Sequence, residues 1–315
     1  MVLAAGVRRG ERASVARMLT LVEAGDVAAR PAVASLDADA GRAYTVGITG
    51  APGAGKSSLT DRLVGLLRAL GDAVCVLAVD PSSPRTGGAI LGDRVRMGGH
   101  ATDPGVFIRS MATRGQLGGL AAAAPQAIRV LDASGAPWIL VETVGVGQIE
   151  LDIAGATDTT VVVVTPGWGD GVQANKAGLL EVADVFVVNK ADRTDADAAV
   201  KDLVAMLAFA PEQSWRPPIV ETVATTGEGV DRLWVAVGDH RRHLLETGLL
   251  EQRRRERRHE EIREMVKARL SALADSWCHG PSFDSLVDEH TVGAFDAQLV
   301  AELVVAAGLR EAGNA

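Results

Sequence analysis

The run Gly50-Ala51-Pro52-Gly53-Ala54-Gly55-Lys56-Ser57 is where residue types and spacing most directly imply chemistry. Glycines at 50, 53 and 55 allow a backbone to turn its N–H groups toward one point, where they can cradle an anion. Lys56 adds a point charge for the outer phosphates of a polyphosphate, and the Ser57 hydroxyl suits the accompanying magnesium; Ser58 follows in the first helical turn. The loop needs two elements to hold it. The apolar run ending at Thr49 reads as a strand, and Leu59, Leu63, Leu66 and Leu70 recur at helical spacing. Strand, glycine loop and helix place the helix N-terminus, with its unsatisfied donors and positive dipole end, on the phosphates.

A phosphate loop does not select a base. Asn189-Lys190-Ala191-Asp192 closes the apolar run Val185-Phe186-Val187-Val188. A carboxylate at Asp192 accepts hydrogen bonds from guanine N1–H and the 2-amino group. Adenine presents an acceptor at N1, and an unpaired buried acceptor costs about 1–3 kcal/mol, roughly ten- to hundredfold in affinity. Asn189 can donate to O6 or N7, and the Lys190 stem can cover the base face. A third piece is Val223-Ala224-Thr225-Thr226-Gly227-Glu228-Gly229. There the Ala224 N–H is expected at guanine O6, with Val223, Thr225 and Thr226 lining the site. The expected ligands are GTP and GDP.

The elements that must position these groups are legible as near-continuous apolar runs: Tyr44–Thr49, Ala73–Asp80, Trp138–Glu142, Thr160–Thr165, Asp184–Asn189 and Ile219–Val223. Strands buried on both faces read this way, and their alternation with helical stretches predicts an α/β P-loop fold with a mostly parallel sheet flanked by helices. Three regions differ in texture. Residues 1–40 are Ala- and Arg-rich and helical in pattern, interrupted at Pro31; 41–245 form the nucleotide domain; 246–315 form a C-terminal helical arm. In that arm Ile262, Val266, Leu270 and Leu273 trace an apolar stripe that suits a homodimer contact. The arginines of Gln252–Leu270 read as a solvated face with ion pairs such as Glu251–Arg255.

Composition narrows the classes. The 315 residues carry 32 Lys and Arg against 40 Asp and Glu, a net charge of −8 that disfavours a general attraction to nucleic acid. Five Phe, five Trp and one Tyr leave the core to aliphatic residues. Cys75 and Cys278 make neither a disulfide framework nor a metal cluster, so a reducing, cytoplasmic compartment is expected. No run reaches a membrane span, and the first residues read as an amphipathic helix rather than a leader.

On these residues the chain resembles the MeaB/ArgK-type GTPases of the SIMIBI class, chaperones associated with methylmalonyl-CoA mutase. The stretches that carry the resemblance are TGAPGAGKSSL (49–59), DPSSPRTGGAILGDRVRM (80–97), FIRSMATRGQLGG (107–119), ETVGVGQ (142–148) and GDGVQANKAGLLEVADVFVVNKAD (169–192). Ala89, Val95 and Ile149 depart from the family's hydroxyl-bearing pattern. The resemblance implies that Asp80, Asp93 and Glu142 join Ser57 around magnesium, with Lys56, Glu142 and Asp93 as the catalytic set. It implies a mobile loop at Gly145 and Gly147, with Gln148 as a water-positioning candidate. It also implies that Asp170, Gln173 and Lys176 form a switch facing the mutase, whose adenosylcobalamin the family supervises. Such a GTPase is expected to turn over slowly without its partner. The alternative is a P-loop kinase acting on an amino acid transport protein or a small molecule, a label ArgK-type proteins have carried; NKAD disfavours its ATP.

Overall fold

The computed structural model describes residues 2–80, 98–100, 102–112, 119–143, 155–168, 181–209, 214–290 and 296–313. By contact the chain divides into two units, Met1–Arg258 and His259–Ala315. In the first unit β1 (Tyr44–Thr49), β2 (Val74–Asp80), β3 (Val106–Ala112), β4 (Trp138–Thr143), β5 (Thr159–Val164), β6 (Val185–Asn189) and β7 (Ile219–Thr222) make one sheet. Its order is β3-β2-β4-β1-β5-β6-β7, and every pairing among the described strands is parallel. Parallel neighbours require crossovers, and helices supply them. The helices are α1 (Val2–Arg8), α2 (Arg12–Glu23), α3 (Arg30–Ala34), α4 (Lys56–Ala69), α5 (Gly119–Ala133), α6 (Ala196–Ala208) and α7 (Val230–Glu246). The following helix, α8 (Leu249–Trp277), contains the boundary between the units.

Side-chain alternation divides the strands between two cores. On one face Val46, Ile48, Val74, Val76, Leu140, Val161, Val163, Val185 and Val187 pack with Leu59, Leu63 and Leu67 of α4 and Leu233, Val237 and Leu244 of α7. The intervening residues face the other way. Cys75, Leu77, Val79, Ile139 and Val141 meet Met18, Leu19 and Val22 of α2 and Val130 and Leu131 of α5. Val162, Val164, Phe186 and Val188 meet Leu203 and Leu207 of α6. At about 1.5–3 kcal/mol for each fully buried large aliphatic side chain, these two layers lock the strand order.

Residues 1–40 therefore supply part of the sheet's cover and belong to the larger unit. Pro31 stands in the first turn of α3, where its missing N–H is no loss, so it starts a helix as well as ending what precedes it. The strand β3 is absent from the apolar runs read in the sequence, because at the sheet edge it carries Arg109 and Ser110 between its apolar residues. Arg109 pairs with Glu23 at 2.6 Å, tying that edge to α2.

The arginines of α8 are not simply a solvated face. Asp158 and Asp184 stand just ahead of β5 and β6 and are almost fully buried. Asp158 accepts from Arg254 at 2.7 Å and from Arg257, and it also accepts from the Thr45 N–H at 3.0 Å. Asp184 accepts from Arg253 at 3.0 Å and from the Thr160 N–H at 2.8 Å. Burial alone would raise the Asp158 carboxyl; the arginine hydrogen bonds and charges outweigh it and hold the group below its ordinary value. Beside this pair the buried His240 bonds through Nδ1 to Thr159 Oγ1 at 2.8 Å, and Tyr44 reaches the same hydroxyl at 2.6 Å. His240 Nε2 lies 3.2 Å from Asp184 Oδ1.

In the second unit, α9 (Pro281–His290) and α10 (Ala297–Gly313) follow the last turns of α8. Gly308 lies against the Trp277 ring so closely that a Cβ would overlap it. Of the expected stripe, Ile262, Val266 and Leu270 are each more than half exposed and Leu273 is half-buried. Among the described residues no helix is long and apolar enough to cross a membrane.

Candidate functional site

The site is built where β1, β4, β6 and β7 end. In an open parallel sheet the crevice at the carboxyl ends of the strands, where the chain's connections diverge, is the natural ligand position. Here β1 lies between β4 and β5, so the loop leaving β1 opens at that point.

Gly50, Gly53 and Gly55 have φ of 135°, 76° and 92°, values an L side chain rarely adopts. Two of them also have no room for a side chain. A Cβ on Gly50 would overlap the Val163 carbonyl oxygen of β5, and one on Gly55 would overlap the Asn189 amide nitrogen. Ala51, Pro52 and Gly53 are exposed at the rim, while Ala54, Lys56 and Ser57 are buried. The Lys56 ammonium donates to the carbonyls of Gly50 at 2.6 Å and Ala51 at 3.0 Å, so its charge is held inside the loop. Gly55 caps α4 and Ser58 lies in its first turn, half-buried.

The register of β1 on β4 pairs Ile48 with Glu142, which brings this carboxylate beside the loop. The Ser57 hydroxyl donates to Glu142 Oε1 at 2.6 Å, and both residues are buried. Thr143 and Thr49, in the next register position, hydrogen-bond at 3.1 Å. A hydroxyl and a carboxylate oxygen converging at the start of a phosphate-binding helix are hard donors, and they fit a magnesium ion that takes its other ligands from phosphate and water. Among the described residues no group of three or more His, Cys, Asp or Glu is placed to hold a metal ion.

The base-reading segments meet the phosphate loop through side chains. Asn189 Nδ2 donates to the Ala54 carbonyl at 2.8 Å. Its Oδ1 accepts from Thr222 Oγ1 and from the Ala224 N–H, each at 3.1 Å. Lys190, with φ of 61°, is the residue with a left-handed backbone among the described non-glycines, and its ammonium donates to the Gly53 carbonyl at 2.9 Å. Asp192 is exposed, Val223 and Ala224 are buried, and Thr225 and Thr226 are exposed. Asn189 and Ala224 thus tie the three loops to one another. Apart from the Ala191 N–H, which donates to the Thr222 carbonyl at 3.1 Å, polar side chains supply the connection between these loops.

The sequence reading missed Arg62. From α4 its Nε donates to the Ala224 carbonyl at 3.0 Å and a terminal nitrogen donates to the Thr225 carbonyl. No local motif marks it; only its place on the helix after the phosphate loop could have drawn attention. Asp93, Gly145, Gly147, Gln148, Asp170, Gln173 and Lys176 lie outside the described residues, as do Ala89, Val95 and Ile149. Asp80 ends β2, with its side chain likewise outside them.

Comparison with known proteins agrees with this geometry. The family whose model matches residues 15–277 is described as methylmalonyl Co-A mutase-associated GTPase MeaB. A protein of Pyrococcus abyssi named as a GTPase is 47% identical over 95% of this chain and 94% of its own length. The Escherichia coli GTPase ArgK is 36% identical over 83% of this chain and 82% of its own. A mouse protein named methylmalonic aciduria type A homolog, mitochondrial, is 34% identical over 79% of this chain and 65% of its own. The crystal structure of a protein named LAO/AO transport system kinase superposes with a TM-score of 0.73 at 26% identity, covering 99% of this chain and 95% of that one.

Proposed function

The chain is a GTPase of the MeaB family, and from that premise we propose that it acts as a GTP-driven metallochaperone for an adenosylcobalamin-dependent methylmalonyl-CoA mutase. The arrangement that carries the nucleotide part is the closure of three loops on one another, with Lys56 inside the phosphate loop and Ser57 against Glu142. The client is supported by the description of the family and by the name of the mouse relative.

Each residue's part follows from its chemistry. The loop N–H groups and Lys56 hold the β- and γ-phosphates, and Lys56 offsets the charge that builds on them as the bond breaks. Ser57 and Glu142 would hold magnesium, joined by Asp80 and Asp93. When bound, that ion neutralises phosphate charge and orients the γ-phosphate. Asp192 reads the guanine N1–H and 2-amino group, and the 223–226 loop reads O6. Catalysis by placement alone is slow, and the partner completes the site. Loss of the γ-phosphate then releases the segments around 80–97, 142–149 and 169–178, with Asp170, Gln173 and Lys176 facing the mutase. The C-terminal residues 246–315 form a homodimer arm through the exposed Ile262, Val266 and Leu270. A single-chain mass by light scattering at micromolar concentration would remove the dimer. The compartment is cytoplasmic.

The deciding experiment mixes the tagged protein with the mutase of its own source cell in GTP, in GDP and without nucleotide. Co-purification should depend on the nucleotide, and phosphate release should accelerate with the mutase. Binding indifferent to nucleotide, with an unchanged rate, removes the client. The name of the similar protein of known crystal structure raises a second reading, a kinase. Label from γ-phosphate recovered only as free phosphate, with no phosphorylated acceptor, excludes it.

A further inference from the structure

Arg62 has no part in phosphate chemistry, yet it joins the two halves of the nucleotide site. It stands on α4, the helix that begins with Lys56, and donates to two successive carbonyls of the base loop, Ala224 and Thr225. Its aliphatic stem covers the turn, with Cδ 3.8 Å from where a Cβ on Gly227 would stand. We infer that Arg62 is a positioning residue for recognition of guanine O6: by gripping the Ala224 carbonyl it fixes the Thr225 N–H, which shares that peptide, toward the base, and its second hold on the Thr225 carbonyl steadies the same turn. The inference rests on the guanine reading proposed above.

The peptide plane gives the reason. In a trans peptide the carbonyl and the N–H point in opposite directions, so holding one aims the other. The Ala224 carbonyl shares its peptide with the Thr225 N–H, and that N–H donates to no acceptor among the described residues. The neighbouring donors are engaged: Thr226 and Gly227 both donate to the Val223 carbonyl, at 3.1 and 2.9 Å. The Ala224 N–H is engaged as well, donating to Asn189 Oδ1 at 3.1 Å, which leaves the Thr225 N–H as the donor of this turn aimed at the base. A cation on the carbonyl also polarises the peptide and makes its N–H the stronger donor. Because Arg62 sits on the phosphate helix, the loop that meets O6 is held in register with the loop that meets the phosphates.

The test measures binding of GDP, 6-thio-GDP and IDP to the full chain by calorimetry. The thio analogue replaces O6 with a weak acceptor and keeps N1–H and the amino group; IDP keeps O6 and lacks the amino group. The wild type should favour GDP over 6-thio-GDP by roughly five- to tenfold, the worth of one hydrogen bond. Arg62→Ala should bring that ratio close to one and leave the GDP-to-IDP ratio unchanged. Arg62→Lys, which keeps the charge but reaches fewer carbonyls, should restore part of it. Arg62→Ala with both ratios intact overturns the inference, and so does a parallel loss of both, the mark of general loosening. A wild type that fails to separate GDP from IDP defeats the guanine reading itself and takes this inference with it. A wild type that separates GDP from IDP but not from 6-thio-GDP defeats the O6 contact alone.

Discussion

Asn189 and Asp192 stand three positions apart and do different work. The Asn189 side chain reaches Ala54, Thr222 and Ala224, so it is fixed by the protein before any base arrives. Asp192 is exposed at the rim, where a carboxylate keeps its hydration until a ligand replaces it. Preorganisation therefore resides in Asn189, and on the guanine reading proposed above selectivity falls to Asp192. Changing Asp192→Asn turns an acceptor into a group that also donates, which suits the O2 of xanthine and repels the amino group of guanine. Competition binding should show GTP affinity falling roughly ten- to hundredfold with XTP affinity rising. An unchanged order of preference would mean that the base is read elsewhere.

Among the elements, β1 with α4 and the strand ending at Asn189 were legible because their signals are local: an unbroken apolar run, a glycine spacing, a leucine repeat. β3 was not, because an edge strand is half-buried and its polar residues break the pattern. The arginines of α8 misled for another reason. Their partners, Asp158 and Asp184, are distant in sequence, and a buried ion pair looks in one dimension like any surface charge. On α7, burial first, with the charges of Arg253 and His243, depresses His240 from 6.5 to about 3 despite Asp158. Asp184 lies beside it, its own carboxyl raised by burial. The folded chain thus keeps His240 neutral, while the unfolded chain binds a proton below about 6.5. Stability from this group is complete above that pH and is lost as pH falls toward 3, by up to ~1.4 kcal/mol per unit. Melting temperatures between pH 7 and 5 should fall less steeply in His240→Gln than in the wild type. Equal slopes would place the acid sensitivity on other groups.

At the level of the whole chain, contact divides the residues at 258 and 259, well past the change of texture near 245. Between the two positions lie the three arginines that reach back to the strand starts. They tie the first turns of α8 to the sheet of the larger unit. A shortened gene ending after Arg258 keeps both aspartates neutralised, and its product should melt cooperatively and still take up GDP. One ending after Gln252 strands two acids in the interior, at about 3–5 kcal/mol for each broken pair, against a typical total of about 5–15. That product should be recovered from cells as insoluble material. The choice of stop codon, a matter of a few bases, thereby becomes a direct assay of what the arginines contribute.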